Sequence, residues 1–136
     1  MDEDAEEIQW TYLGVDDALE LYAAIIGGTV REAADQLRDR GGLASALGRP
    51  LAYAHYEDAD PALQAAVLAH GIAESQTFLD GNKRLALVAM LTFLEINGYT
   101  VQAPDPELAR WIVSLSTGTT PVQLADVIRK HLTARS

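Results

Sequence analysis

The chain contains no cysteine, which excludes disulfides and thiolate metal sites. Its three histidines, His55, His70 and His131, are widely separated. No two of them have metal-ligand spacing with a third ligand, so no zinc site is expected. Positive charge is also scarce: ten Lys and Arg stand against twenty Asp and Glu, a formal net charge of −10. A domain of that charge repels phosphate backbones, so this chain is not expected to bind DNA, although a local basic patch can still hold one small anion. No run approaches about 18 uncharged apolar residues, and the start shows no basic segment followed by an apolar one. The expectation is a soluble cytoplasmic protein with no membrane partner. There is no internal repeat and no long linker.

What is present suits one globular domain. The chain has 136 residues, of which 49% are apolar, enough for a real core. The opening MDEDAEE carries five acids and is read as a flexible acidic head over residues 1–7. Residues 8–136 are read as a single domain.

The punctuation is that of an all-α bundle. VDDALELYAAII, Val15 to Ile26, has helical apolar spacing and stops at Gly27 and Gly28. TVREAADQLRDR opens with a Thr29/Glu32 capping box and is expected to run as a helix to Gly41 and Gly42. GLASALGRP reads as a short apolar turn or two halted at Pro50. Asp60-Pro61, Asp105-Pro106 and Thr120-Pro121 each place a capping residue before a proline at the first helical position, and Gln123 completes a box with Thr120. A central helix is expected over about Asn82 to Ile96, stopped by Asn97-Gly98. Its apolar residues nearly encircle it, so it should be buried on most sides.

Two stretches break this rhythm. Arg49 to Asp60, RPLAYAHYEDAD, carries Tyr53 and Tyr56 but no helical stripe. It reads either as a loop or short flap beside a site, or as a surface crossover whose tyrosines pack on the bundle. The second is SQTFLDGNKRLAL, Ser75 to Leu87. An apolar anchor, Phe78, leads into the Asp80-Gly81 turn and then a helix start at Asn82. The first N–H groups of a helix lack acceptors and carry the positive end of its dipole, so they suit a phosphate. Gly81 lets the backbone approach closely. Lys83 and Arg84 add positive charge at an end where stability alone would favour acids. Asp80 could hold a hard cation such as Mg²⁺. Residue type and spacing also allow a plainer reading: a helix–turn–helix with Asp80 or Asn82 as cap and two exposed cations.

TFLDGNKRLAL resembles the signature of the Fic/Doc superfamily, specifically its Doc (death-on-curing) branch, with Phe78, Asp80, Gly81, Asn82, Lys83 and Arg84 in register. LRDRGGLASALGRP, LAHGIAES and LTFLEINGYTV resemble the segments that flank that signature, so the likeness covers nearly the whole chain after the head. The resemblance implies a compact helical bundle with the motif loop between two central helices and a short flap. It implies a toxin of a toxin–antitoxin pair, held by a Phd-type antitoxin. The activity implied is kinase-like. With ATP or another nucleoside triphosphate and Mg²⁺, a phosphoryl group passes to elongation factor Tu and translation stops. AMP transfer, as in Fic-type members, is the alternative, and a non-catalytic nucleotide- or partner-binding module is another. By the same resemblance Asn82, Lys83 and Arg84 would contact nucleotide phosphates, Asp80 would organise the metal, and Tyr53 and Tyr56 would lie on the flap that docks the target.

The departure is at Gln76, which stands where the family has its catalytic histidine. Glutamine can hydrogen-bond but has no useful basicity, and general-base catalysis contributes ~10²–10⁴-fold. Transfer should therefore be weak or absent while the anion pocket persists. A glutamine there fits either a residue introduced to disarm the protein or a natural member with altered chemistry. The other histidines do not replace it. His70 lies six residues earlier, on a different helical face, and reads as a packed structural residue. His55 reads as a surface residue of the flap. His131 sits in the last turn of the last helix, where a cation suits the dipole.

Overall fold

The computed structural model describes residues 9–135, so the acidic head lies outside the described residues. Seven helices follow in order: α1 Val15–Ile26, α2 Val30–Asp35, α3 Arg40–Glu57, α4 Pro61–Ser75, α5 Asn82–Ile96, α6 Asp105–Leu115 and α7 Pro121–His131. Two short strands, β1 Tyr99–Val101 and β2 Leu132–Ala134, add a small antiparallel ribbon in which Tyr99 faces Ala134. The architecture is all-α, with the ribbon as an addition not legible in the apolar spacing. No helix among the described residues is long and apolar enough to cross a membrane.

Helix α4 is the hub. It packs against α3, α5, α6 and α7. Its sequence explains how it can serve so many neighbours. Ala62, Ala65, Ala66, Ala69 and Gly71 are all buried, and such small side chains let helix axes approach closely. At Gly71 an added Cβ would lie 3.2 Å from the Ala46 Cβ of α3, so glycine lets the two helices sit closer than an alanine would without a small shift. Larger residues fill the remaining space: Leu68 and Ile72 from α4 and Leu85, Met90, Phe93 and Leu94 from α5 are all essentially inaccessible. As its encircling apolar residues imply, α5 is buried on most sides. Ile96, at its last turn, is exposed.

Several helix starts follow the capping chemistry of the sequence. Thr29 Oγ1 accepts from the Glu32 N–H at 3.1 Å, and Thr120 Oγ1 accepts from the Gln123 N–H at 3.1 Å. Asp60 Oδ1 accepts from the Leu63 N–H at 2.9 Å, with Pro61 at the first helical position. At α6 the cap is Pro104, and Asp105 is already the first helical residue.

Three local expectations are corrected. The helix expected from Thr29 to Gly41 ends at Asp35, because Leu37 pairs with Phe78 in an antiparallel bridge and the Arg38 N–H donates to the Thr77 carbonyl at 2.7 Å. Those bonds across the fold replace the helical ones. The short turn expected to stop at Pro50 is instead part of α3, an eighteen-residue helix that runs through it. The loop or flap expected over Arg49 to Asp60 is likewise helical as far as Glu57. A proline inside a helix costs ~3 kcal/mol, yet Leu43, Ala46, Leu47 and Pro50 are buried, and that burial holds the helix together across the missing N–H. The chain leaves α3 at Asp58, which adopts a left-handed backbone.

Asp60 also ties the first turn of α4 to α7. Arg129 Nε donates to Asp60 Oδ2 at 2.7 Å and Arg129 Nη2 to Oδ1 at 3.1 Å, a two-pronged pair. The hydrogen bond from Arg129, helped by the Leu63 N–H and the guanidinium charge, holds the Asp60 carboxyl below its ordinary value of 3.8 despite partial desolvation. A lowered folded-state value means that the contribution of this carboxylate is complete above about pH 4 and is lost as pH falls through the folded-state value. Urea-unfolding curves between pH 7 and pH 2 should show native stability falling at the acid end. Asp60→Asn, which keeps a good cap, should be less stable at pH 7 and show a shallower acid decline. An identical acid profile in the variant would exclude Asp60 as the source.

Candidate functional site

The loop between α4 and α5 is built from its backbone outward. Helix α4 is capped by Gln76, whose φ of 49° and ψ of 41° put it in the left-handed region and turn the chain sharply. The next residue, Thr77, is fully buried, and its carbonyl accepts from the Arg38 and Asp39 N–H groups at 2.7 and 3.3 Å. Phe78 follows, 1% exposed, with its ring stacked on Tyr22 of α1 at a centroid distance of 3.9 Å. The Tyr22 hydroxyl donates to the Asp80 carbonyl at 2.8 Å and lies 3.1 Å from Gln36 Oε1. Burial first, and then the Asp80 carboxylate, raise the Tyr22 phenol above its ordinary value, so it remains a neutral donor at physiological pH. Gly81 has a φ of 80° and sits against the same ring, since a Cβ there would be 3.4 Å from Tyr22 Cε1.

Asn82 closes the loop upon itself. Its Oδ1 accepts from the Phe78 N–H at 3.1 Å and its Nδ2 donates to the Phe78 carbonyl at 3.0 Å. The side-chain amide is thus engaged in shaping the loop, and what Asn82 can offer an anion is chiefly its main-chain N–H. Helix α5 has Gly81 as N-cap, with no side-chain cap. The Gly81 N–H goes to Asp80 Oδ1 at 2.8 Å, whereas the N–H groups of Asn82, Lys83 and Arg84 have no acceptor among the described residues.

A cavity of about 310 Å³ opens over this helix start, lined by Gln76, Phe78, Leu79, Asp80, Lys83 and Arg84 among others. Arg38 lines it as well. A second cavity of about 380 Å³ lies behind the loop, between Tyr22, Ile25, Ile26 and Gln36, and shares Asp80, Gly81 and Arg84. None of Arg38, Lys83 and Arg84 has an ion-pair partner among the described residues, in a chain of net charge −10. Three free cations around one uncapped helix start make a local positive field that an anion can answer. Arg38 was not picked out by sequence spacing. It lies 45 positions before Lys83 and is delivered by the Thr77 bond on its own N–H.

The remaining candidates fall in different places. Asp80 is exposed beside the cavity, and no group of three His, Cys, Asp or Glu side chains among the described residues is arranged to hold a metal. One carboxylate oxygen is what the chain could give Mg²⁺, with water and phosphate oxygens completing the shell, as that ion commonly accepts. Tyr53 and Tyr56, 38% and 79% exposed, lie on α3 and line neither motif cavity. His55 lines another cavity, described below. His70 is half-buried, with Nδ1 3.5 Å from Arg49 Nη1. His131 Nδ1 donates to the Val127 carbonyl at 2.9 Å while its ring lies 5.1 Å from Trp111.

The Tyr22 latch gives a direct test. Tyr22→Phe keeps the stack on Phe78 but leaves the Asp80 carbonyl without its donor. The protein should lose about 1 kcal/mol of unfolding free energy. Hydrogen exchange at Phe78, Gly81 and Leu85, whose N–H groups are bonded within the loop, should quicken by more than the loss in global stability accounts for. Exchange unchanged at those amides would show that the ring alone fixes the loop.

Two comparisons bear on this arrangement. The model of the Fic/DOC family matches residues 12–94, which takes in most of the chain from α1 to α5, including the whole α4–α5 loop. The Toxin Doc of Mycolicibacterium smegmatis (strain ATCC 700084 / mc(2)155) is 38% identical over 94 residues, 68% of each chain. With more than half of its length matched and the α4–α5 loop inside the match, the chain belongs to the Fic/DOC family.

Proposed function

We propose that this chain is a Doc-type toxin, the partner of an antitoxin, whose α4–α5 loop binds the phosphates of a nucleoside triphosphate. The observation that carries the reading is the convergence of Arg38, Lys83 and Arg84 on the uncapped start of α5. The family and the likeness to a Toxin Doc supply the biological class. In this reading the main-chain N–H groups of residues 82–84 and the three cations orient the phosphates, and Asp80 offers one oxygen to Mg²⁺. The nucleotide supplies the phosphoryl group, and Mg²⁺ offsets the charge that develops on it. The protein's part is positioning and electrostatic stabilisation, the usual division of labour in phosphoryl transfer.

One proton has no destination. As the target hydroxyl oxygen forms its bond to phosphorus, the bond to the nucleoside diphosphate breaks and the hydroxyl proton must leave. Gln76 lines the cavity where an acceptor would serve, and an amide does not accept that proton. The chain as it stands is therefore read as a binder with impaired transfer. The fuller assignment is a kinase acting on elongation factor Tu, held in check by a Phd-type antitoxin, and it rests on the Doc-branch resemblance. AMP transfer is the competing outcome.

Two measurements test this. Lys83→Ala with Arg84→Ala should weaken ATP binding by at least tenfold in calorimetry while the thermal transition stays cooperative; equal affinity would remove the anion pocket from the reading. Gln76→His should restore transfer. The left-handed backbone at residue 76 accepts histidine, which is enriched in that region, and an ordinary imidazole is mostly neutral at pH 7. Expression of both forms from a tight promoter should show growth arrest only for the histidine form. Intact-mass analysis of cellular proteins should then show addition of a phosphoryl group, or of AMP if the competing chemistry holds. A harmless histidine form with no mass shift on any protein leaves a non-catalytic binding module as the function.

A further inference from the structure

A cavity of about 920 Å³ has no part in the motif loop. It lies at the opposite end of α4, whose fifteen residues span about 22 Å at ~1.5 Å per residue. Four separate pieces of chain build it. The N-terminal segment gives Gln9, Trp10 and Tyr12. The last turns of α3 give Leu51, Ala54 and His55, the connection into α4 and its first residue give Asp58, Asp60 and Pro61, and β1 gives Tyr99.

The N-terminal wall is firmly held. The Thr11 N–H donates to Asn97 Oδ1 at 2.8 Å, and Asn97 Nδ2 returns a bond to the Thr11 carbonyl at 2.9 Å. The Tyr12 hydroxyl donates to the buried Gln64 Oε1 at 2.9 Å. The opposite rim is open, since Leu51 is 56% exposed and His55, Asp58 and Asp60 are exposed too.

The chemistry of this groove is one-sided. Three large aromatic rings and two carboxylates line it, and no Lys or Arg does. Asp60 is already answered by Arg129, which Asp126 also engages. The Asp58 carboxylate has neither a hydrogen bond nor an ion pair among the described residues. The chain as a whole is strongly acidic, and the sequence before Gln9 adds five acids. That head has the same sign of charge as the groove, which disfavours it as the occupant.

We propose that this groove docks a basic, partly apolar peptide segment of a partner protein. An arginine or lysine of that segment sits at Asp58, with its aliphatic stem over Trp10, Tyr12 and Tyr99. Aromatic faces attract such cations, and long basic side chains bury their stems against them while keeping the head near a carboxylate. The groove's volume would admit a small molecule as well, but such ligands are mostly enclosed when bound, and the exposed rim of Leu51, His55 and Asp58 suits an extended segment. The acidic field of the chain steers such a segment inward. This inference is independent of nucleotide binding at the motif loop.

Trp10 makes the test direct. Trp10 and Trp111 are the two tryptophans, and Trp111 is 8% exposed in the core. In full-length Trp111→Phe protein, Trp10 is the sole indole reporter. If that variant folds poorly, the Trp10 indole N–H can be followed by NMR in the unaltered chain. The probe is an acetylated, amidated peptide of sequence Ala-Arg-Leu-Arg-Ala, with Ala-Glu-Leu-Glu-Ala as its control. The arginine peptide should shift the Trp10 signal saturably, and the glutamate peptide should not. Asp58→Asn, which suits the left-handed backbone there, should weaken binding about fivefold. Saturating ATP should leave binding unchanged. A full-length chain with Asp2, Glu3, Asp4, Glu6 and Glu7 changed to their amides should bind within twofold. The proposal is overturned by absence of saturable binding at millimolar peptide, by equal affinity in Asp58→Asn, or by loss of binding only in the head-neutralised chain, which would mark diffuse attraction to the head.

Discussion

Everything at the motif loop depends on the Tyr22 ring. It is the floor under Phe78, the ceiling over Gly81 and, through its hydroxyl, the donor to the Asp80 carbonyl. A stacked aromatic pair contributes about 0.5–1.5 kcal/mol beyond the area it buries. The hydroxyl bond adds a second anchor at Asp80, so residues 78, 80 and 81 all rest on one side chain of α1. The helix start of α5 is aimed by that grip. Asn82 reinforces that aim with its own two bonds to the Phe78 backbone.

The same economy appears in the backbone around Thr77. One carbonyl receives two N–H groups from the α2–α3 connection, and that contact ends α2 early, sets Asp39 as the cap before α3 and delivers Arg38 to the cavity. The proposed anion site is thus assembled from two loops joined edge to edge, with Arg38 from one connection and Lys83 and Arg84 from the first turn of α5. Helix α4 separates this assembly from the aromatic groove at its other end. A bundle this small carries two unlike surfaces, one basic and one acidic, at the two ends of one helix.

Much of this was legible in the sequence because it is written in local chemistry. The extents of α1, α4 and α5 follow from apolar spacing and from residues that cannot sit elsewhere, such as Gly27, Pro61 and the Asn97-Gly98 stop. The loop signature placed Phe78, Asp80, Gly81 and the two adjacent cations on one turn. What escaped was decided by contacts distant in sequence. Pro50 looks like a terminator, yet its burial with Leu43, Ala46 and Leu47 carries the helix past it. The region of Tyr53 and Tyr56 lacks an apolar stripe because only one narrow face of α3 is covered, and sparse burial resembles a loop in sequence. Arg38 belongs to the site only through a bond between two loops, and the β1–β2 ribbon joins segments more than thirty residues apart, for which three-residue strands leave no periodic trace.

The left-handed turn at Gln76 has a consequence for the chain as a folding object. A glutamine held at a φ of 49° costs of order 1–3 kcal/mol, whereas glycine would adopt the same backbone freely. At the end of α4 the chain holds a long polar side chain over a cavity in a conformation that glycine would stabilise. The turn is a small store of conformational energy located where a side chain must project into the cavity. Relieving it would make a sturdier protein with no side chain at that edge of the cavity.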